Sequence, residues 1–184
     1  MNFAVRRGMT LEEFLAWDEG QEGRWEFDGF EPVAMVGGTS AHSGITINLL
    51  IALGTRLRGG QCNVYNDSLR VNVAGSIRYP DATVGCTKLP LGAQQVIDPV
   101  VVFEVLSPTT ASIDLIVKPA EYRDTPSIRR YVILAQDRIA ANVYEWRGGN
   151  WIGTPVTDPA AILGLPEIGI SVSLAECYIG VINP

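Results

Sequence analysis

The chain reads as one mixed α/β domain, with a central sheet of mixed or largely antiparallel strands flanked by helices. Three observations carry that reading. Apolar residues recur at spacings of four between residues 41 and 57, the period of a helix with one buried face. Residues 99–106, Pro-Val-Val-Val-Phe-Glu-Val-Leu, are apolar almost throughout, as a strand buried on both faces requires. The patterns also succeed one another as helix, hairpin, helix, several strands, helix, strand, strand, without the regular alternation of a doubly wound sheet. At 184 residues, 47% hydrophobic and 18% charged, the composition is globular, and the chain can bury most of one core.

Each element has its own local warrant. Thr10-Leu11-Glu12-Glu13 is a capping box whose helix runs to about Asp18, with Gly20 as terminator. Asp28-Gly29 predicts a tight hairpin turn between Arg24-Trp25-Glu26-Phe27 and residues 30–35. Gly37-Gly38-Thr39-Ser40 ends in an N-cap. The long helix behind it buries Ile45, Leu49, Leu53 and Leu57 and stops at Arg58-Gly59-Gly60. Residues 62–73 and 77–85 alternate as strands about Ala74-Gly75-Ser76. Ser107-Pro108-Thr109-Thr110 breaks the buried strand. A helical pattern spans about 114–124, with Pro119 suited to its first turn. Residues 130–134 and 140–146 are further strands, and Arg147-Gly148-Gly149-Asn150 turns into Trp151-Ile152-Gly153. The last third reads as short strands and a short helix near 173–179.

Net charge is −6 with a pI near 4.8, the wrong sign for a protein that coats nucleic acid, though a local basic cleft is compatible with it. Only Lys88 and Lys118 are lysines among 14 basic residues. Arginine forms bidentate pairs with carboxylates and phosphates, which suits interface ion pairs or a few phosphate contacts. Cys62, Cys86 and Cys177 show no CxxC spacing and an odd count. They read as reduced thiols of a cytosolic protein rather than a disulfide framework or zinc site. Neither a signal peptide at residues 1–8 nor a run of membrane-spanning length is present, so the expectation is a soluble, cytoplasmic chain.

Asp81 and Glu104 stand out because each interrupts an otherwise apolar strand pattern. A lone buried carboxylate costs several kcal/mol unless it is paired, protonated or bound to a cation. Two such acids on successive strands point to a shared hard metal ion or, on the bland alternative, to two separate pairs with arginine.

Arg78-Tyr79-Pro80-Asp81, Glu104-Val105-Leu106-Ser107-Pro108-Thr109-Thr110, and Asp114 with Lys118 and Tyr122 together resemble the "putative restriction endonuclease" family. That family is a bacterial branch of the PD-(D/E)XK nuclease superfamily. Trp25-Glu26 with Asp28-Gly29, and the stretch from Ser127 to Arg138, fit the same pattern, so nearly the whole chain is covered. The resemblance implies one restriction-endonuclease-like domain over residues 1–184 and a metal-dependent endonuclease acting on DNA. It implies that Asp81 and Glu104 bind Mg²⁺ or Mn²⁺, that Glu26 completes the metal shell, and that Lys118 is the catalytic lysine. The usual signature sets that lysine two residues after the second acid, where this chain has Leu106. Here it has moved to the following helix, and the acid usual just before it is replaced by Val117.

The chemistry is consistent with this assignment. Oxygen-only ligands favour Mg²⁺ or Mn²⁺ over Zn²⁺, and a lysine beside the attacking water stabilises developing negative charge. Each residue also has a plainer reading. Glu26 sits where hairpins carry solvated glutamates, and Pro119 disfavours helical dihedrals at Lys118. His42 is a first-turn or core-edge residue, or else a phosphate contact. Asp67 and Arg70 border the cleft, or Asn66-Asp67-Ser68 is a bulge. The rival functions are an inactive nuclease-fold binding subunit and a hydrolase of small nucleotides. The arginine and tryptophan usage predicts an isologous homodimer.

Overall fold

A computed structural model of the chain describes residues 7–107 and 111–182. The expected strand break at Pro108-Thr109-Thr110 lies outside the described residues, as do residues 1–6. The centre is a six-stranded sheet in the order β10-β9-β8-β7-β6-β3. Its strands are β3 (Asn63–Asn66), β6 (Ala82–Gly85), β7 (Pro99–Val105), β8 (Arg130–Leu134), β9 (Ala141–Arg147) and β10 (Asn150–Val156). Among the described residues of this sheet only β7 and β8 run parallel, joined by the crossover that carries α3 (Lys118–Arg123). The sheet is mixed and flanked by helices, as the sequence predicts.

Burial on both faces explains the apolar run of β7. Val101, Phe103 and Val105 pack with α2 (Ser40–Leu57), where Ile45, Leu49, Leu53 and Leu57 are buried together with Leu163, Leu165, Val172 and Tyr178. Leu163 and Leu165 belong to β11 (Ile162–Leu165), and Val172 to β12 (Ile170–Ser173). Val102 faces the other way, with Tyr131 and Ile133, onto Tyr122, Val71 and Val73. On that side lies a four-stranded sheet ordered β2-β1-β5-β4. It comprises β1 (Trp25–Phe27), β2 (Pro32–Ala34), β4 (Val71–Val73) and β5 (Ser76–Arg78). The helix α1 (Leu11–Asp18) closes this side through Phe14 against Phe27 and Ile77, and its Thr10–Glu13 capping box is formed.

Several boundaries differ from the sequence expectation for identifiable reasons. The hairpin loop has four residues, because Phe27 pairs with Pro32. The Asp28 carboxylate accepts from the N–H groups of Phe30 and Glu31 at 2.8 and 2.7 Å, which stabilises the wider loop. Thr39 rather than Ser40 is the N-cap of α2. Asn66 ends β3, and Asp67-Ser68 form a turn rather than a bulge on the way to β4. The expected strand 77–85 is divided as well. Pro80 has no N–H and restricts Tyr79, so the ladder breaks and the chain passes from β5 in one sheet to β6 in the other. Asp81 therefore lies in a bend at the seam between the sheets, not inside a strand.

The cysteine reading requires a correction. Cys62 and Cys86 form a disulfide, and only Cys177 is free. Spacing rules look for close neighbours in sequence, whereas these two are 24 residues apart. The β3–β6 register, with Asn63 opposite Gly85, brings them face to face one step beyond the ladder. Buried Cys177 has its thiol pushed up to about 12 by desolvation. Closing a loop of that 24-residue separation stabilises by about 3 kcal/mol on the chain-entropy estimate. The Cys62→Ser/Cys86→Ser double variant is therefore expected to unfold at lower urea, and an unchanged midpoint would refute the bond's contribution.

Candidate active site

A cleft of about 700 Å³ opens where β6 begins and β7 ends. It is lined by Glu26, Thr39, His42, Asp81, Glu104, Asp114 and Lys118, so all four proposed metal and catalytic residues reach it. The register accounts for the central pair. Ala82 stands opposite Phe103 across the antiparallel β6–β7 ladder, so one step further Asp81 comes opposite Glu104. The Val105 N–H donates to Asp81 Oδ2 at 2.7 Å, which ties the bend to the end of β7.

Glu104 is 5% exposed and faces away from α2, toward α3. Its Oε1 accepts from Lys118 Nζ at 2.6 Å and from the Tyr122 hydroxyl at 3.3 Å. Burial raises its pKa well above the ordinary carboxylate range. Lys118 pulls it down, and Asp81, Asp114 and Glu26 push it up again. Lys118 is equally buried and lies 2.9 Å from Asp114 Oδ1 and 3.9 Å from Glu26 Oε1. Desolvation alone would depress the ammonium. Glu104, Glu26 and Asp114 outweigh it and hold Lys118 well above its usual pKa.

Pro119 does not displace this lysine. Residues Ile113–Val117 form a π-helical turn, and the Lys118 N–H donates to the Ile113 carbonyl. A wider turn relieves the clash that a proline ring makes with the carbonyl four residues back. Lys118 keeps helical dihedrals, φ −58° and ψ −35°. The Tyr131 hydroxyl donates to the Asp114 carbonyl at 3.1 Å and so fixes the turn against β8. Val117, in place of the family's usual acid, is 43% exposed, and Asp114 supplies a carboxylate one turn earlier.

His42 is both a first-turn residue and a cleft residue. Its N–H donates to the Thr39 cap at 3.2 Å, and its Nε2 lies 3.2 Å from Asp81 Oδ2. The hydrogen bond to Asp81 raises its pKa against the opposing effect of burial. The imidazole packs over Gly38, where an added Cβ would stand 2.9 Å from Nδ1. No acidic residue occupies the first turn of α2, whose amino end lines the cleft. Asp67 also lines it, held by Arg24 at 3.0 Å, whereas Arg70 turns to Asp18 at 3.8 Å.

Sequence reasoning gave no role to Arg78, Glu121 or Asp114. Asp114 was detectable from its i,i+4 spacing to Lys118. The Arg78–Glu121 pair spans 43 residues and no local pattern betrays it.

Among the described residues no three Cys, His, Asp or Glu side chains form a ready-made metal cage. Mg²⁺ seldom requires one, since it keeps several waters and takes one or two carboxylates together with substrate phosphate. Asp81 and Glu104 fit that demand. Among the described residues Asp81 takes its partners on Oδ2 and Glu104 on Oε1, so each turns its other oxygen away from them. With Arg78 and its second partner Glu121 included, five carboxylates stand around Lys118, Arg78 and His42, a surplus of acidic groups.

The family model described as "Uma2: Putative restriction endonuclease" matches residues 11–175. The chain is 30% identical over 178 residues to the uncharacterized protein slr1290 of Synechocystis, covering 94% of this chain and 92% of that protein. A second Synechocystis protein, the uncharacterized sll1609, is 27% identical over 141 residues, covering 74% of this chain and 80% of its own length. The crystal structure of a "putative nuclease belonging to DUF820" from Anabaena variabilis superposes with a TM-score of 0.77. It is 15% identical, and the match covers 95% of this chain and 99% of that one.

Proposed function

This chain belongs to the Uma2 family, and from that membership and the chemistry of its cleft we propose that it is a metal-dependent endonuclease hydrolysing phosphodiester bonds of DNA. The observation that carries the reading is Asp81 opposite Glu104 at the β6–β7 edge, with Lys118 Nζ 2.6 Å from Glu104. In this reading Asp81 and Glu104 hold Mg²⁺ or Mn²⁺. Bound there, the ion supplies a water activated near neutral pH and neutralises phosphoryl oxygens. Lys118 orients the attacking water and offsets charge developing on the phosphoryl group. The amino end of α2, with Thr39 and His42, offers donors to a backbone phosphate. Asp114 and Glu26 keep Lys118 protonated, and Tyr122 helps hold Glu104.

The second reading is a nuclease-fold binding subunit without activity, favoured by the ion pairs that engage Lys118 and by the net charge of −6. Cleavage decides between them. Plasmid and linear DNA incubated with the purified chain should be cut with Mg²⁺ or Mn²⁺ and left intact with chelator or with Asp81→Ala. Metal binding without cleavage of any DNA or RNA would select the binding subunit.

Two further parts of the proposal are the cytoplasm as the place of action, from which the Cys62–Cys86 disulfide removes the reduced-thiol argument, and an isologous homodimer. Ile152, 42% exposed on the edge strand β10, supports the second at the open edge of the sheet. Among the described residues no helix is long and apolar enough to cross a membrane. Light scattering at micromolar concentration should give twice the chain mass, and a monomer mass would end the dimer proposal.

A further inference from the structure

Glu26, the third acid of the cleft, is held differently from the other two. Both of its oxygens are taken by protein donors: Arg78 Nη1 reaches Oε2 at 3.0 Å and the Tyr79 N–H reaches Oε1 at 3.1 Å. Arg78 is itself fixed. Its Nε and Nη2 make a bidentate pair with Glu121 of α3 at 2.8 and 2.6 Å, and the Ser76 hydroxyl donates to Glu121 Oε1 at 3.0 Å. The Arg78 side chain is 2% exposed and bridges β1, β5 and α3. A guanidinium keeps its charge at any physiological pH, and withdrawing it would strand two carboxylates in a buried setting. Lys118 adds a second cation 3.9 Å from Glu26 Oε1.

This arrangement separates Glu26 from Asp81 and Glu104, each of which retains an oxygen turned from its protein partners. Building on the metal reading of Asp81 and Glu104, we infer that Arg78, with the Tyr79 N–H, withholds Glu26 from the ligand set, so that no third carboxylate is left to hold a second divalent ion. The site then takes up one ion per chain. Glu26 is a positioning residue: it anchors Arg78 and helps keep Lys118 charged without touching the metal.

Mn²⁺ titrated calorimetrically into the whole chain tests this without any activity assay. One ion per chain is expected for the wild type. Glu26→Gln keeps one acceptor oxygen, for Arg78 or for the Tyr79 N–H, and since Glu26 is not a ligand it should still bind one ion. Loss of a ligand would cost at least the roughly 10- to 100-fold in affinity that even outer-shell partners cost, and Glu26→Gln should lose less than that. In Arg78→Gln, provided it melts as a folded protein, the released Glu26 should admit a second, weaker ion. Two ions in the wild type, a ligand-sized loss in Glu26→Gln, or a single ion in folded Arg78→Gln would each overturn the inference and leave the Asp81–Glu104 site standing. A wild type that binds no Mn²⁺ would overturn both. If Arg78→Gln does not fold, the wild-type and Glu26→Gln titrations decide.

Discussion

Lys118→Ala is expected to lose turnover by about a hundredfold or more, the scale for removing one charge-stabilising donor, while still binding Mn²⁺. The two effects separate because an ammonium stabilises the transition state but is not a metal ligand. The substitution also removes the cation from between Glu104 and Asp114, 2.6 and 2.9 Å away. Removing one partner of a buried ion pair costs about 3–5 kcal/mol, so the metal-free variant should melt lower and regain stability when Mn²⁺ restores positive charge. Lys118→Arg should rescue poorly, since a planar fork does not replace a compact ammonium. DNA cleavage by matched folded samples, with Asp81→Ala as the contamination control, provides the measurement. A Lys118→Ala variant that cuts as fast as the wild type would show that another residue carries the role.

Asp81→Ala and Glu104→Ala should each abolish detectable Mn²⁺ binding and, with it, cleavage. The pH dependence of binding follows from Glu104. Burial and the neighbouring Asp81, Asp114 and Glu26 raise its pKa against the pull of Lys118, so the metal competes with a proton to higher pH than at an ordinary carboxylate. Acid therefore favours the protonated, metal-free form, so Mn²⁺ affinity should rise from mildly acid to mildly alkaline pH. Calorimetry across that range reads it. Equal binding by the alanine variants would put the metal elsewhere, and an affinity independent of pH would exclude Glu104 as the linked group.

The helices and the acidic pair were legible because their signals are local. Spacings of four fixed the buried face of α2, and the capping box fixed the start of α1. A carboxylate inside Pro99–Val105 was conspicuous for its cost. Partners distant in sequence were not legible. Nothing near Cys62 announces Cys86, and nothing near Arg78 announces both Glu26 and Glu121. Each meeting is set by strand register or by the fold of α3 over the smaller sheet. Pro80 was read as half of a motif. Its consequence for the fold, passing the chain from one sheet to the other so that Asp81 lies at the seam, needed both sheets to be known.

The π-turn at Ile113–Val117 acts as an angular shim. An α-helix advances about 100° per residue, so one residue more or fewer before Lys118 swings its side chain by more than a quarter of a circle. Asp114, pinned to β8 by Tyr131, is the fixed end of that rotation, and Glu104 is the target. The π-turn takes one residue more than an α-turn for a single revolution, so the extra residue is accommodated without losing the phase that aims the ammonium at Glu104. The winding of this crossover is therefore as much a determinant of where Lys118 points as the identity of the residue itself.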